Sequence, residues 1–433
     1  MLADQTFVNY ELYKLFNEKL EKEQMMGLYR DIEHQLMFVL GDMEIEGFKV
    51  DLDMLKELEK NFDSRTDELT QRILEITNKT NDFNLASPKQ LGVLLFEELN
   101  LPVIKKTKTG YSTDIEVLEK LADKHPVIPL LIELRKLTKI NSTYIKGFMK
   151  IIDPRTHRIH STFNQTVTTT GRISSSSPNL QNIPIKTEEG KVIRKIFIPS
   201  SSDNLLIDAD YSQIELRLLA HISGDENMIE AFRNNEDIHT RTASEVFDIP
   251  IDQVTSMQRS SAKAVNFGIV YGISDFGLSR NLNIKRSDAK DYIEKYLDSF
   301  PGVRQYMSDI IEEVRKTGYA QTMFGRRRYL PDINSTNFTI RSFGERTALN
   351  TPIQGSAADI IKIAMVRVSK RLKESQLKAK LILQIHDELI IDCPKTEVDQ
   401  AEKILKYEME HAAQLRVPLV ADLKSADNWY DAK

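Results

Sequence analysis

The sequence is poor in cysteine and has no long apolar run. Cys393 is the single cysteine in 433 residues, which excludes an intramolecular disulfide, and no Cys/His spacing fits a zinc site. No apolar run approaches the roughly 18 residues of a membrane-spanning helix, and the N-terminus does not resemble a signal peptide. We therefore predict a cytoplasmic protein with no membrane partner, in which Cys393 is a packing residue.

An excess of positive charge is also missing. There are 59 Lys and Arg residues against 64 Asp and Glu residues, which gives a net charge of −5. Affinity for nucleic acid comes largely from neutralised phosphates, so a chain of this composition that binds it must concentrate its cations locally. The candidate basic stretches are Lys105, Lys106 and Lys108; Arg135, Lys136, Lys139 and Lys146; Lys186, Lys191, Arg194 and Lys195; and residues 326–328. Such runs are also typical of a solvated surface.

What the sequence does contain is ordinary for a globular protein of about three domain-sized units, with 41% apolar and 28% charged residues. Two apolar segments, residues 205–207 and 381–391, have the length and continuity of strands buried on both faces. The second segment is interrupted at residues 386–388, which predicts a hairpin with its turn near His386 and Asp387.

Carboxylates stand where these predicted strands end. Asp210 follows the first run, and Asp387 and Glu388 interrupt the second. Each could be a solvated turn residue, but a carboxylate at the end of a buried strand is costly unless it is paired or binds a metal. If the two segments are neighbours, Asp210 and Asp387 converge, and two hard carboxylates with open positions suit Mg²⁺.

A helical pattern between the two segments carries two cations and two aromatic residues. They are spaced four apart: Arg259, Lys263, Phe267 and Tyr271. Positions four apart drift by only about 40° around a helix, so these side chains form one stripe. The stripe could hold a nucleoside triphosphate lengthwise, with its phosphates on the cations. The alternative is an amphipathic helix with core aromatics and solvated cations.

Together, these segments resemble motifs A, B and C of the family-A, polymerase I-like DNA polymerases. Motif A is residues 208–217, motif B is 259–272 and motif C is 384–388, and further matches lie at 170–175, 178–184, 325–331 and 346–355. The matches run in family order from about residue 30 onward and cover nearly the whole chain.

The resemblance implies an α+β fold shaped like a right hand, with a palm built on an antiparallel sheet, a helical thumb and helical fingers. The implied bounds are 1–30 for the end of an exonuclease-like domain, 31–52 for the first part of the palm, 53–149 for the thumb, 150–229 for the palm with motif A, 230–334 for the fingers with motif B, and 335–433 for the palm with motif C.

Helix signals fit the expected thumb. Apolar residues at helical spacing between Leu55 and Ile76 predict a long helix capped by Asp51 or Asp53. Capping boxes at residues 87–90 and 113–116 predict two further helix starts, leaving residues 102–112 as an exposed connection. In the family, this connection is the thumb tip that grips DNA, so Lys105, Lys106 and Lys108 are expected to bind DNA.

The resemblance also implies the catalytic groups. Asp210 and Asp387 would ligate two Mg²⁺ ions, for which Mn²⁺ can substitute, together with the backbone carbonyl of Tyr211, and Glu388 would support the site. Such a pair, roughly 3.5–4 Å apart, lowers the pKa of an attacking hydroxyl and neutralises the leaving pyrophosphate. Arg259 and Lys263 would act on the triphosphate, with Lys263 also donating a proton to pyrophosphate.

Further roles in substrate binding follow from the matched motifs. Glu215 would exclude ribonucleotides by contact at the 2′ position, and Phe267, where some relatives carry Tyr, predicts discrimination against dideoxynucleotides. The expected deoxynucleotide-binding residues are Gln213, Glu215, His239, Arg259, Lys263, Phe267 and Tyr271.

Primer–template DNA is the implied macromolecular partner of a monomeric enzyme. Donors such as Arg172 and Gln354 can check base-pair geometry in the minor groove, because the acceptors there occur in every correct pair. The expected DNA-binding residues are Arg172, Lys105, Lys106, Lys108, Gly272, Arg346, Asn350, Gln354 and His386.

The implied activity is template-directed addition of deoxynucleotides to a primer 3′ end, in the bacterial cytosol or nucleoid. Because the nuclease domains of relatives lie upstream of the matched region, we expect neither proofreading nor 5′ nuclease activity. Two alternatives remain: a single-subunit phage-type RNA polymerase, which shares the metal carboxylates, and a retired polymerase that only binds primer–template.

Overall fold

The structure is a computed structural model that describes residues 2–108, 110–185 and 187–433. Lys186, counted above in one basic stretch, lies outside the described residues. Among the helices of these three ranges, none has the length and apolar character required to cross a bilayer.

Helices make up most of the secondary structure. The α-helices are α1 Leu2–Lys22, α2 His34–Glu46, α3 Leu52–Ile76, α4 Pro88–Val93, α5 Ile115–Lys120, α6 Val127–Ile140, α7 Lys146–Met149, α8 Glu188–Lys195, α9 Ile214–Ser223, α10 Glu226–Arg233, α11 Ile238–Phe247, α12 Ser256–Val270, α13 Asp275–Leu282, α14 Arg286–Ser299, α15 Pro301–Thr317, α16 Phe338–Glu374 and α17 Val398–Glu410. Short π-helical turns cover Leu28–Glu33, Leu94–Glu98 and Asn141–Ile145, and 3₁₀ turns cover Leu180–Asn182, Ile251–Gln253 and Pro331–Asn334.

The strands are short except in one sheet. They are β1 Phe48–Lys49, β2 Lys106–Thr107, β3 Gly110–Tyr111, β4 Arg158–Ile159, β5 Thr162–Asn164, β6 Ser174–Ser176, β7 Asn204–Tyr211, β8 Tyr319–Gln321, β9 Arg327–Tyr329, β10 Lys380–Ile385, β11 Glu388–Pro394 and β12 Ala421–Ala426. The predicted α+β class with an antiparallel sheet is confirmed.

A four-stranded antiparallel sheet in the order β10-β11-β7-β12 forms the centre of the molecule. The predicted hairpin is confirmed: Ile385 pairs with Glu388, so His386 and Asp387 form the turn. Successive side chains of a strand point to opposite faces, and Leu389, Ile390 and Ile391 are all fully buried, so both faces of β11 are covered. Helices α2, α16 and α17 pack on this sheet.

The long helix α3 confirms the sequence prediction, because the Asp51 carboxylate accepts hydrogen bonds from the backbone N–H groups of Asp53 and Met54. It packs along α6. The predicted start at Ser87 is also confirmed, but the reciprocal capping bond is not formed, since the Gln90 side chain instead accepts from the backbone N–H of Asn84.

The other predicted capping box was placed one residue early. Asp114, not Thr113, is the N-cap of α5, and its carboxylate accepts from the backbone N–H of Val117. The preceding connection is exposed as predicted over much of its length, but it contains the small hairpin β2-β3, and Ser112 at its end is buried. Lys105 pairs with the same Asp114 carboxylate at 2.8 Å.

The expected fingers region is a set of packed helices from α10 to α15. Helix α12 begins with a capping box in which the Thr255 hydroxyl and the Gln258 side chain each accept from the other residue's backbone N–H. The helical spacing of motif B was predicted to run through Gly272. The helix instead ends at Val270, because Tyr271 is its C-cap and Gly272 takes a left-handed conformation at φ +63°.

Two members of the basic stretches are structural rather than surface cations. Arg194 is only 2% exposed and lies over the Trp429 ring, with the guanidinium carbon 4.1 Å from the ring centroid. Arg326 is paired with Asp359 at 2.6 Å and also contacts Glu33. These cations lie inside the fold because their apolar or acidic partners come from distant parts of the chain.

Three of the predicted domain bounds fall inside helices or helical turns. The boundary at 229/230 falls within α10, that at 52/53 falls after the first residue of α3, and that at 30/31 falls within a π-helical turn. The division into palm, thumb and fingers at these positions stays a prediction.

Candidate active site

Two acidic residues that are far apart in the sequence meet at one end of the central sheet. Strands β7 and β11 pair so that Asp210 lies opposite Glu388, and the backbone N–H of Tyr211 donates to the Asp387 carbonyl over 3.1 Å. The turn places Asp387 next to the end of β7. The predicted convergence of the two segments is therefore confirmed.

The pKa values of both aspartates lie above their ordinary range. Burial at the end of the sheet raises the pKa of Asp387 to about 6; the Arg172 guanidinium opposes this and the Glu215 charge adds to it. Burial also raises the pKa of Asp210, against the lowering effect of the Lys433 ammonium. Both carboxylates are therefore short of compensating positive charge, the condition under which a cation binds most favourably.

Glu388, unlike the two aspartates, is buried with a hydrogen-bond donor on each carboxylate oxygen. It is 2% exposed, its Oε1 accepts from the Trp429 indole N–H over 3.0 Å, and its Oε2 accepts from the Lys433 ammonium. Burial works to raise the pKa of Glu388, but Lys433 and a hydrogen bond with Asp208 outweigh it and lower the pKa. At neutral pH Glu388 is an ionised carboxylate whose two oxygens are both in use.

Asp208 lies behind this cluster and carries a proton. Burial, with the neighbouring Glu388 charge, raises the pKa of Asp208 to about 9. Its Oδ2 atom has no hydrogen-bond partner among the described residues. Asp208 was not predicted as a site residue, since nothing in the sequence separates it from Asp210.

A divalent cation fits the chemistry of this donor set. Asp210 and Asp387 offer hard carboxylate oxygens, and the Asp210 side chain is 47% exposed. Within the described ranges, no group of three or more His, Cys, Asp or Glu side chains is arranged as a complete metal cage. A site with two carboxylates and open positions is the arrangement that Mg²⁺ uses with substrate phosphates. Tyr211, the predicted carbonyl ligand, has its ring buried and its hydroxyl bonded to the Met409 carbonyl over 2.7 Å.

Glu215 lies at the start of α9 and joins the carboxylate site to the helix of motif B. Its Oε1 accepts from Arg172 over 2.7 Å and its Oε2 accepts from the Tyr271 hydroxyl over 2.8 Å. Burial and the Glu215 charge raise the pKa of Tyr271 to about 12, so Tyr271 donates this hydrogen bond throughout the physiological range. The adjacent Gln213 is left-handed at φ +54°, and its Oε1 has no partner within the described ranges.

Helix α12 carries the predicted stripe along one side. Arg259 donates to Asp237 Oδ2 through two nitrogens, at 2.6 and 3.2 Å, while Lys263 is exposed with its ammonium 5.9 Å from the Phe267 ring centroid. Phe267 is half-buried. Asp237, two residues before His239, is a partner of Arg259 that sequence reasoning missed.

His239 is more enclosed than its predicted phosphate contact implies. It is 3% exposed, and its Nδ1 lies 3.0 Å from the Asn266 amide nitrogen, which supplies the proton if the ring is neutral. Burial lowers the pKa of His239 to about 4. The imidazole is therefore uncharged at neutral pH in this structure, and with Nδ1 facing Asn266 its Nε2 is the nitrogen that can donate to a phosphate.

The predicted DNA-binding residues of α16 lie on one side of that helix, because they are spaced four apart. Gln354 contacts Tyr271, and the Oδ1 atom of Asn350 is buried without a partner in the part of the chain that the structure describes. Arg346 and Tyr271 line a cavity of about 470 Å³ that also includes Gly272. His386 is exposed at the turn, next to the aspartates.

The turn itself is fixed by two glutamines, neither of which the sequence analysis assigned to the site. Gln384 donates to the His386 carbonyl over 2.5 Å, and Gln181 donates to the Gln384 side-chain oxygen over 3.3 Å. Residues 178–184 were matched to the family only as a motif. Trp429 and Lys433 were also missed, although Trp429 is the single tryptophan of the sequence.

Comparison with known proteins agrees with this geometry. Residues 52–431 match the family model described as DNA polymerase family A. The chain is 55% identical to DNA polymerase I of Bacillus subtilis over 416 residues, which is 96% of this chain and 47% of that protein. It is 52% identical to DNA polymerase I of Bacillus caldotenax, covering 98% of this chain and 48% of that protein. The chain thus spans about half the length of the curated relatives it matches.

A solved structure shares the fold of this chain. The POL domain of Pol1 from M. smegmatis, in complex with DNA primer-template and dNTP, superimposes with a TM-score of 0.91 at 41% identity, covering 98% of this chain and 74% of that one. The right-hand polymerase fold is therefore confirmed. The match over most of the chain, together with the paired aspartates beside the helix of motif B, shows that this chain belongs to DNA polymerase family A.

Proposed function

We propose that this chain catalyses template-directed DNA synthesis, adding deoxynucleotides to the 3′ end of a primer. The observation that carries the proposal is the meeting of Asp210, at the end of β7, with Asp387, in the turn that leads into the neighbouring strand β11. Glu215 and Tyr271 link this place to the cationic helix α12. The M. smegmatis relative, which was solved with primer-template and dNTP, supports the same substrates for this chain.

Asp210 and Asp387 are the residues that would hold divalent cations, with the Tyr211 carbonyl as a further ligand. When bound, a pair of Mg²⁺ ions, or of Mn²⁺ in their place, activates the primer hydroxyl and neutralises the charge of the pyrophosphate. The raised pKa values of the two aspartates support this assignment, because they show that Arg172 and Lys433 do not offset the cost of burial, so a bound cation would stabilise both carboxylates.

Arg259 and Lys263 would bind the triphosphate. In the structure Arg259 is paired with Asp237, so triphosphate binding exchanges one anionic partner for another. Arg259 can hold phosphate oxygens with its planar fork, and the exposed Lys263 acts as a point charge and as the proposed proton donor to pyrophosphate. His239 and Gln213 complete the proposed contacts, with His239 acting as a neutral donor.

Selection of the sugar would depend on Glu215 and Phe267. Glu215 is held rigidly by Arg172 and Tyr271, so it cannot swing away from a 2′-hydroxyl without breaking two hydrogen bonds. Phe267 faces the same substrate from α12 and offers no hydrogen-bonding group there. We therefore propose deoxynucleotides as substrates, which separates this chain from an RNA polymerase.

DNA would bind across the cavity beside Tyr271 and along the small hairpin β2-β3. Tyr271, Gly272 and Arg346 surround a space of about 470 Å³ where a template base can be accommodated. Arg172, Asn350, Gln354 and His386 are proposed to contact the primer terminus, and Lys105, Lys106 and Lys108 the duplex behind it. Lys105 must share its charge with Asp114 to do so.

The remaining assignments concern the whole chain. We propose residues 53–149 as thumb, 230–334 as fingers, 31–52, 150–229 and 335–433 as palm, and 1–30 as the end of an exonuclease-like domain. We also propose action as a monomer, and a place in the bacterial cytosol or nucleoid, of which the second is supported by the bacterial sources of the relatives.

The test is primer extension with Mg²⁺ and deoxynucleotides. We expect extension by the wild type and a loss of at least about a thousandfold in Asp387→Ala, because one of two metal-holding carboxylates is removed. Asp399→Ala, which removes an exposed carboxylate from α17, is the matched control and is expected to extend normally. DNA binding without extension by the wild type would favour the retired polymerase, and preferred use of ribonucleotides in competition would favour the RNA polymerase.

A further inference from the structure

The final residues of the sequence reach into the carboxylate site. Lys433 Nζ contacts Glu388 Oε2 and lies 3.6 Å from Asp210 Oδ2, and its side chain is 30% exposed. No sequence motif pointed to this residue. An ammonium group therefore already stands beside one of the two aspartates that would hold a divalent cation.

The segment that carries Lys433 is firmly placed. Trp429 is fully buried, its ring lies 5.4 Å from the Phe197 ring and 6.0 Å from the Phe48 ring, and its backbone N–H donates to the Phe197 carbonyl over 3.0 Å. The backbone N–H of Ala432 donates to the Asn428 carbonyl over 3.1 Å. Packing of Trp429 thus holds Lys433 at the site.

Glu388 and Asp210 differ in how far their carboxylate oxygens are already bound by neighbouring groups. Both oxygens of Glu388 accept hydrogen bonds, one from Trp429 and one from Lys433, so Glu388 cannot turn toward a metal without leaving a buried donor unpaired. Asp210 has only the longer contact with Lys433 and remains half exposed. A divalent cation at Asp210 would face the Lys433 ammonium at close range, and the two positive charges would repel each other.

We propose that Lys433 is a tethered counter-ion that weakens divalent-metal binding at Asp210 and keeps Glu388 out of the metal's coordination shell. It is a positioning residue, since it acts through Glu388 and Asp210 and not on the substrate. This inference rests on the proposed function of Asp210 and Asp387 as metal-holding residues. Its consequence is that the affinity of the site for a divalent ion is set partly by a side chain that is not a ligand.

The experiment measures Mn²⁺ binding directly, by the loss of the free Mn²⁺ electron paramagnetic resonance signal as protein is added without DNA or nucleotide. Lys433→Gln keeps a hydrogen-bond donor for Glu388 but removes the charge. Because a unit charge within about 4 Å acts strongly even at a protein surface, its Mn²⁺ dissociation constant is expected to fall roughly tenfold. Lys433→Met, tested in parallel, should bind Mn²⁺ at least as tightly as Lys433→Gln.

Two controls isolate the charge at this position. Lys433→Arg keeps the positive charge and should match the wild type. Lys406→Met removes an exposed ammonium that lies 3.9 Å from Glu410, and should also match the wild type. Emission from Trp429, the single tryptophan, reports in each sample whether the segment remains docked.

The outcomes separate this inference from the proposed function. Folded Lys433→Gln and Lys433→Met proteins that bind Mn²⁺ no more tightly than the wild type would overturn it, because a purely structural role predicts equal or weaker binding. Wild-type binding that persists unchanged in Asp387→Ala would instead contradict the metal site itself.

Discussion

At the scale of single residues, the site is organised by which acids are ionised. Asp387 and Asp210 have raised pKa values and open sides, whereas Glu388 is ionised and enclosed, and Asp208 is protonated. Four carboxyl groups near one sheet end can coexist because only some of them carry charge at a time. Their roles follow from their surroundings and not from residue type.

The protonated state of Asp208 predicts that Asp208→Asn is tolerated. Its pKa of about 9 in the folded protein exceeds the roughly 3.9 of an unfolded chain, so the folded state holds an extra proton between these values. The free energy of unfolding of the wild type therefore falls as pH rises through that window, and an amide, which has no such proton to lose, escapes this loss. We expect Asp208→Asn to unfold at a higher temperature than the wild type at pH 8, with the gap shrinking at pH 5.

The matched variant is Asp210→Asn, which should abolish primer extension while Asp208→Asn retains it. Thermal unfolding at several pH values and extension assays check both parts. A temperature gap that is unchanged between pH 5 and pH 8 would show that Asp208 is ionised in the folded state.

Phe267 predicts the response to chain terminators. A tyrosine hydroxyl at this place could take over a hydrogen bond that a missing 3′-hydroxyl leaves unmade, and such a bond beside charged phosphates is worth about 1.5–3 kcal/mol. We expect Phe267→Tyr to accept dideoxynucleotides at least about tenfold better in competition with deoxynucleotides. Phe267→Leu, which adds no hydroxyl, should show no such gain; equal incorporation of both sugars by the wild type would refute the role of Phe267.

At the scale of elements, the C-terminal end of α12 decides how this helix meets α9 and α16. The helix stops at Val270, Tyr271 turns its hydroxyl to Glu215, and Gly272 allows the chain to pass close to α16. A side chain at Gly272 would place its Cβ 3.0 Å from Arg346 Cγ and 3.1 Å from Leu349 Cδ1, at a φ of +63°. The element boundary is therefore set by close packing as well as by helix propensity.

This packing predicts that Gly272→Ala is more harmful than a matched glycine change. Gly318 also has a positive φ, +81°, but no atom lies within 4 Å of its hypothetical Cβ. Gly318→Ala should therefore cost only about 1–2 kcal/mol for a left-handed residue. Gly272→Ala adds to this cost two tight contacts that require Arg346 and Leu349 to shift, and we expect the shift to disturb the neighbouring Tyr271. Thermal unfolding and the extension rate check this; equal extension rates for the two variants would contradict it.

At the scale of the whole molecule, the sheet, the helices around it and the hairpin near Lys106 form one polymerase fold with a net charge of −5. Two cations of the candidate basic stretches are engaged inside the fold: Arg194 lies on Trp429 and Arg326 pairs with Asp359. The basic surface available to DNA is therefore smaller than the sequence predicted, which makes binding more dependent on the remaining exposed lysines.

The sequence by itself determined features whose causes are local. The strand at residues 205–207, the hairpin turn at His386 and Asp387, and the Asp51 cap of α3 follow from apolar periodicity, turn position and capping chemistry among neighbouring residues. The strand ends and the four-residue spacing also pointed to the paired aspartates and to the stripe on α12, and the resemblance to the family motifs supplied the roles expected of them.

The tertiary structure alone decided contacts between distant residues. These contacts are Asp237 on Arg259, Trp429 and Lys433 on Glu388, and those that bury Arg194 and His239. They join residues as far apart as Arg194 and Trp429, and no local pattern encodes such pairings. Charge and protonation at the site depend on these same contacts, because desolvation and neighbouring charges exist only after the chain has folded.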